Sequence, residues 1–418
     1  MTAFRDIRYL ATAAARSIRQ GGIRGFQEVW QATSTRRELR PIRSMALWPP
    51  VETGSELADL SARLSWYVPP ACSIDIPVVD AAIELEPVPW FEGHDQAVPD
   101  NASLVDPKLP NGHDAILVWK RDRKRTGGRP RGSKVLTVDP AYRGVTELSN
   151  YARISRAATD PSAVDVLRAR SGETFARMVD ELSGAKRVIV FGTGPSMRDI
   201  DPPTADAGLV IACNSAVRDA QWIDEWRPQL IVFADPVFHF GPSRYATQFR
   251  ADLQTAVDIA DSYVLVPEDL LPLLDRHMPA LGDRIIGVKG VRSGRFLVPS
   301  VSRVAVARTS NVMTYLMLPL AAALGREIAV AGCDGRDPSE DYFWQHSQQG
   351  QYTDELMKSA MQAHPPYFRD RDYARYYQEH CDILASQFIA IEDRGINVTS
   401  VTASYIPALQ QRAALAGP

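Results

Sequence analysis

The residues best suited to chemistry follow short apolar runs. Arg187 to Ser196 reads RVIVFGTGPS, so Val188 to Phe191 run straight into Gly192, Thr193, Gly194, Pro195 and Ser196. Glycines at a strand end let the backbone turn sharply and let a ligand approach the main chain. Ser196 is placed to cap a short helical turn, with Asp199 as its acidic partner three residues on. A strand, a glycine turn and a helix start together make a site for an anion, most often a phosphate. The motif is not the dinucleotide fingerprint, because Met197 stands near where a third glycine is needed. It is not a P-loop either, because no Gly-Lys-Ser/Thr follows. Taken alone it also reads as an ordinary strand-to-loop turn.

Three further apolar runs end in small or polar residues: Cys213-Asn214, Ala234-Asp235-Pro236 and Gly332-Cys333-Asp334. In a parallel sheet such strand ends converge on one crevice. Asn214 also reads as a helix start with Ser215, and Asp334 as a loop cap. Histidine is the usual proton acceptor near neutral pH. His364 precedes Pro365-Pro366, a segment helices avoid, and so reads as a loop histidine. His380 falls in a long helical pattern and reads equally as packing. His346 follows Tyr342, Phe343, Trp344 and Gln345, a run typical of a lid or an acceptor wall.

The elements that must position these residues show from Lys186 onward. Strands are expected at Val188–Phe191, Leu209–Ala212, Leu230–Phe233, Tyr263–Val266, Arg284–Val288, Glu327–Ala331 and Ile396–Val401. Helical patterns fall at Ser215–Trp226, Ser243–Ile259, Ser310–Leu324 and Asp370–Arg394. This alternation predicts a Rossmann-like, doubly wound, mostly parallel sheet with ligands at the strand carboxyl ends. Asp160 to Ser183 reads as a helix opened by Asp160-Pro161. Ser73–Val79 reads as a strand in an otherwise uninformative stretch, 44–110. Ala115–Trp119 and Lys134–Val138 read as two strands joined by the basic run Lys120 to Arg131, taken as a solvated hairpin tip or a phosphate contact.

Three regions result: a basic segment 1–43, an N-terminal α/β region 44–155 of unassigned role, and a nucleotide-type domain 186–405. Residues 1–43 hold nine arginines and three acids, with apolar residues at helical spacing. Such a helix can lie on an anionic membrane surface or pack on its own domain or a partner subunit. The chain is 45% hydrophobic and 23% charged with a formal net charge of −3. Those are ordinary globular values that give no reason to expect nucleic acid. The four cysteines are widely spaced, which argues against structural zinc or a disulfide framework and fits a reducing cytoplasm. No run approaches the length of a membrane span.

The succession GTGPSMRDID, CNS, FADPVFHF and ARTSNVMTYLMLPLAAALGREIAVAGCD resembles the bacterial sialyltransferases of the CMP-sialic-acid type. It is also similar to the motility-associated glycosyltransferases related to them. The resemblance spans roughly residues 186–405. It implies a single-nucleotide-site variant of the GT-A fold with a lid, and an inverting, metal-independent transfer from a CMP donor to a glycan or other hydroxyl. On this resemblance Gly192, Thr193, Gly194, Pro195, Ser196 and Asn214 hold the donor. Asp235 stands where the family usually has Asn before Pro. Arg308, Thr309, Ser310 and Asn311 match a helix start facing the cytidine or the sugar carboxylate, and Asp334 lies near the ribose or the acceptor. Tyr342 fits the second of two phosphate-binding tyrosines and Arg336 replaces the first. Arginine preserves that role. Trp344 and His346 fall in the lid, and the base is expected at His364 by distance from Asp334, with His380 as the alternative.

The implied partners are a nucleotide-sugar donor and a glycan acceptor, with no metal and no other cofactor. Peripheral contact with the inner membrane face through residues 1–43, and homo-oligomers, stay open. Two other readings compete. One is a pterin-type pyrophosphokinase using ATP and magnesium, with Asp235, Asp334 and Asp337 as metal ligands. The other is a non-catalytic protein docked to a membrane surface.

Overall fold

The computed structural model describes residues 41–91, 97–108, 111–120, 134–139, 145–201, 208–335, 354–364 and 373–413. Residues 1–40, where a basic amphipathic helix is expected, the run from Arg121 to Arg131, and Arg336, Asp337, Tyr342, Trp344 and His346 lie outside the described residues.

Two sheets are present, each parallel throughout. The first joins β1 (Ser44–Trp48), β2 (Ser73–Pro77), β3 (Ala102–Val105), β4 (Ala115–Val118) and β5 (Lys134–Thr137) in the order β3-β2-β1-β4-β5. The second takes β6 (Val188–Phe191), β7 (Leu209–Cys213), β8 (Leu230–Val232), β9 (Tyr263–Pro267), β10 (Ile285–Val291), β11 (Ala305–Ala307), β12 (Glu327–Ala331) and β13 (Asn397–Ser400). Its order is β11-β10-β9-β8-β7-β6-β12-β13. The chain winds outward from β6 to β11, then crosses back to place β12 on the other flank of β6. That reversal is the switch point at which open α/β sheets hold ligands. Every residue of β6 is buried, as a strand covered on both faces requires.

The expected strands from Val188 onward are all present within a few residues. The three-residue edge strand β11 was not expected, because Ala305–Ala307 is too short for a periodic signal. The expected hairpin at residues 115–138 is a correction. β4 and β5 pair in parallel, with Ala115 opposite Lys134, so the basic run belongs to a crossover connection. Helix Gly54–Tyr67 and strands β1 and β3 also arise in the stretch that had looked uninformative. The helix expected from Asp160 runs Pro161–Leu182, with Asp160 capping Ser162 N–H at 2.8 Å.

The two sheets share one core. Helix Gly54–Tyr67 of the first packs on the loops at the carboxyl edge of the second. Trp66 Nε1 donates to Phe240 O at 2.7 Å, and Tyr67 OH donates to Pro236 O at 3.0 Å. The Trp66 ring stacks on His277 at 3.7 Å. Arg63, fully buried beside Asp59, donates to Ala363 O at 2.9 Å. Among the described residues no helix is long and apolar enough to cross a membrane.

Candidate functional site

The turns after β6 and β12 are bonded to each other. Gly192 N–H donates to Ala331 O at 2.9 Å, and Gly194 N–H donates to Gly332 O at 2.8 Å. A Cβ on Gly192 would stand 2.4 Å from Gly332 O, and one on Gly194 1.8 Å from Asp334 Oδ2. Only glycine permits this approach. Gly332 and Gly335 take φ of +61° and +76°, which L side chains rarely adopt, and so aim Cys333 and Asp334 back toward β6.

Asp334 Oδ1 accepts from Ser196 N–H at 3.3 Å. Its Oδ2 is buried and has no hydrogen-bond partner among the described residues, and the same is true of Ser196 Oγ. Unsatisfied buried polar atoms are uncommon and costly, on the order of 1–3 kcal/mol each. Two of them lie beside one glycine turn, and a carboxylate and a hydroxyl oxygen there can accept from hydroxyl or N–H groups. The expected cap by Ser196 is a correction. Residues Pro195–Arg198 form one 3-10 turn capped at Gly194 without a side-chain bond, and Ser196 is turned inward.

Asn214 follows β7 at φ +49°, a left-handed conformation that asparagine tolerates. It opens a 3-10 turn, Asn214–Arg218. Arg198, from the turn after β6, pairs with Asp219 after β7. Asp235 Oδ1 accepts from Val237 and Phe238 N–H, both at 2.8 Å, so this oxygen ties its own loop.

The return crossover also reaches the crevice. Thr309 Oγ1 bonds Thr314 Oγ1 at 2.8 Å, and Asn311 Oδ1 accepts from Met313 N–H at 2.9 Å. Residues Met313–Met317 wind as a π-helix, a form concentrated at functional sites. Met313 Sδ lies 3.6 Å from Cys333 Sγ, which joins this helix start to the end of β12. Burial pushes the Cys333 thiol up to about 12, so it is inert near neutral pH.

Helix Tyr373–Glu392 closes the same side. Tyr376 OH donates to Ser310 O at 3.2 Å, and Tyr377 OH lies 2.9 Å from where a Gly335 Cβ would stand. His380, one turn further, is buried with no partner for Nδ1 among the described residues, and burial pulls its imidazole down to about 4. His364 is also buried and ends helix Asp354–Ala363, where its N–H donates to Ala360 O at 2.9 Å. That helix packs on the first turn of helix Arg244–Ala260, where Tyr245 N–H donates to Ser359 Oγ at 3.0 Å. The loop histidine expected from Pro365-Pro366 is therefore a helix-end histidine.

Sequence reasoning placed Gly332-Cys333-Asp334 at the crevice but missed Met313, Tyr376 and Tyr377 as its walls. It also passed over His239, buried among Phe233, Phe238, Phe240 and Phe249 and pulled by burial to about 4.

No model of a known protein family matches the chain, and no curated protein matches it in sequence. Three solved structures are similar in fold. The monofunctional α-2,3-sialyltransferase Cst-I of Campylobacter jejuni is 15% identical, with a TM-score of 0.33 over 56% of this chain and 80% of its own. A tyrosine-to-phenylalanine variant of the sialyltransferase Cst-II in complex with CMP is 12% identical, with a TM-score of 0.29 over 55% and 89%. CstII from Campylobacter jejuni with a substrate analogue, cytidine-5'-monophosphate, is 14% identical, with a TM-score of 0.27 over 54% and 87%.

Proposed function

We propose that the chain is a glycosyltransferase that moves a nonulosonic, sialic-acid-like sugar from a CMP donor to a hydroxyl of a glycan. The observation that carries this reading is the pair of unpartnered buried groups, Asp334 Oδ2 and Ser196 Oγ, beside the Gly192–Gly194 turn at the switch point. A carboxylate there accepts from hydroxyls of a ribose or a sugar. The motif order from Gly192 to Asp334 supports CMP as the carrier.

In this reading the acceptor oxygen attacks the anomeric carbon as the bond to the CMP phosphate oxygen breaks. The hydroxyl proton passes to a histidine, and inversion follows from the single displacement. Arg336 and Tyr342 bond the departing phosphate, whose charge grows in the transition state. A monophosphate leaving group held this way needs no bridging metal. We assign the proton to His380 in preference to His364. Its helix touches Ser310 and Gly335.

Release of CMP from a CMP-linked nonulosonic acid, measured with a glycan acceptor, tests the assignment. His380→Gln is expected to lose roughly 10²–10⁴-fold in kcat while still binding CMP. Full activity of folded His380→Gln, with His364→Gln inactive, would transfer the role to His364.

A further inference from the structure

From Arg284 to Arg326 the chain carries seven lysines and arginines and no aspartate or glutamate. Half of that stretch forms β10, β11 and the connection between them, at the open edge of the second sheet. Lys289, Arg292, Arg295 and Arg303 are all exposed there. The backbone gathers them. Lys289 N–H donates to Val304 O at 3.0 Å, which sets Lys289 beside Arg303. Val291 pairs with Ala307, four residues beyond Arg303, so Arg292 follows at the far end of a strip about 13 Å long. Arg295 N–H donates to Ser293 Oγ at 3.0 Å in a tight turn just after Arg292. The Arg394 guanidinium, 5.4 Å from the centre of the Phe296 ring, adds a fifth cation. The acids packed against β10 do not offset the strip. Arg168 Nη2 meets Glu268 Oε1 at 2.7 Å, and Arg156 Nε meets Asp269 Oδ1 at 2.9 Å.

Apolar side chains are interleaved with these cations. Ser300 N–H donates to Arg303 O at 3.0 Å and Arg303 N–H to Ser300 O at 2.9 Å, so Val301 and Ser302 form the tip of a two-residue turn. Val301 at that tip is 54% exposed, and Leu297 and Val298 are half-buried on the same connection. A soluble polyanion would engage the cations and leave the apolar tip idle. A bilayer engages both, because lysine and arginine heads stay with the headgroup phosphates while apolar groups enter the acyl boundary. The strip also stands apart from the crevice. Five strand spacings separate β11 from β6, about 24 Å, which is beyond the reach of these side chains to a sugar held at Gly192 and Gly194.

We propose that the β10–β11 edge docks the protein on an anionic lipid bilayer, with Lys289, Arg292, Arg295 and Arg303 on lipid phosphates and Val301 in the interface. This surface is separate from residues 1–43, and the inference does not rest on the glycosyltransferase reading.

The test is co-sedimentation of the full chain with phosphatidylcholine vesicles, with and without phosphatidylglycerol. The parent protein is expected to sediment only with the phosphatidylglycerol vesicles and to be released by salt. Each cation near an anionic surface contributes about fivefold in partition, so R292Q/R295Q/R303Q is expected to bind about a hundredfold more weakly. K108Q/R170Q/R375Q removes the same charge elsewhere and is expected to bind within about threefold of the parent, because screening confines the effect to nearby charges. Val301→Ser is expected to weaken binding about threefold with the salt dependence unchanged. Circular dichroism of each variant checks its fold. A parent protein that ignores phosphatidylglycerol overturns the inference. Parental binding by R292Q/R295Q/R303Q also overturns it and moves the contact to residues 1–43. An equal loss in K108Q/R170Q/R375Q does so as well, since net charge alone would then explain binding. Equal binding to vesicles and to dextran sulfate, both untouched by Val301→Ser, would overturn the choice of a bilayer and mark a site for soluble polyanions.

Discussion

Gly194→Ala probes the crevice with a single methyl group. Gly194 has φ −71°, so alanine meets no backbone strain there, and only space decides the outcome. The new Cβ would lie 1.8 Å from Asp334 Oδ2 and 2.8 Å from Gly332 O, against an ordinary contact that begins at 3.4 Å. The carboxylate must therefore withdraw by roughly 1.6 Å. Its bond from Ser196 N–H, already 3.3 Å, cannot survive that movement. Overpacking of this kind costs about 1–3 kcal/mol. The lower chain entropy of alanine in the unfolded state returns about 0.4–1 kcal/mol. A net loss of up to about 2.6 kcal/mol in urea unfolding is expected, with CMP binding weakened at least tenfold by calorimetry. Gly172→Ala is the control, because it lies within helix Pro161–Leu182 with nothing within 4 Å of the added methyl. It is expected to gain about 0.5–1 kcal/mol. Parental stability and parental CMP affinity in Gly194→Ala would refute the contact on which the site is built.

Asp334→Asn keeps the shape but removes the charge. Its CMP affinity is expected to drop about fivefold, the difference of about 1 kcal/mol between a charged and a neutral hydrogen bond, while ligand-free stability does not fall. His239 and His380 both have folded values near 4 against about 6.5 unfolded. The unfolded chain therefore binds more protons between those values. Stability is full above about pH 6.5 and declines toward pH 4, by on the order of 3 kcal/mol per histidine. Denaturant midpoints across that range should show the slope, and His239→Phe should remove about half of it. Tyr67→Phe deletes the bond to Pro236 O between the two sheets and is expected to cost about 0.5–1.5 kcal/mol in the same assay. An unchanged midpoint would show that this bond does not tie them.

The doubly wound sheet was legible because most of its strands are short apolar runs, four of which lead into small or polar residues. Val188–Phe191 and Glu327–Ala331 announce themselves in this way. The first sheet was legible only in part: β2, β4 and β5 were expected, whereas β1 and β3 were not. Its strands are four or five residues long, and β3 is half exposed, so Ala102–Val105 carries no strong pattern. Parallel pairing of β4 with β5 is a tertiary choice that two short strands and a charged run cannot encode locally. At the site, the glycines and Asp334 could be named from sequence, since strand ends in such sheets face a common edge. Met313 and Tyr377 could not. They reach the crevice only because the crossover from β11 to β12 and helix Tyr373–Glu392 fold back across it. The inward turn of Ser196 was hidden for the same reason, as its partner Asp334 lies 138 residues away.

Calorimetric titration of the parent protein with CMP, UDP, GDP and ATP, each with magnesium and with a chelator, tests the central claim most directly. The account predicts that CMP binds equally well in both conditions, that the other nucleotides bind at least tenfold more weakly, and that Gly194→Ala loses the CMP signal. Tight ATP binding that needs magnesium, with no binding of CMP, would contradict it and point instead to phosphoryl transfer.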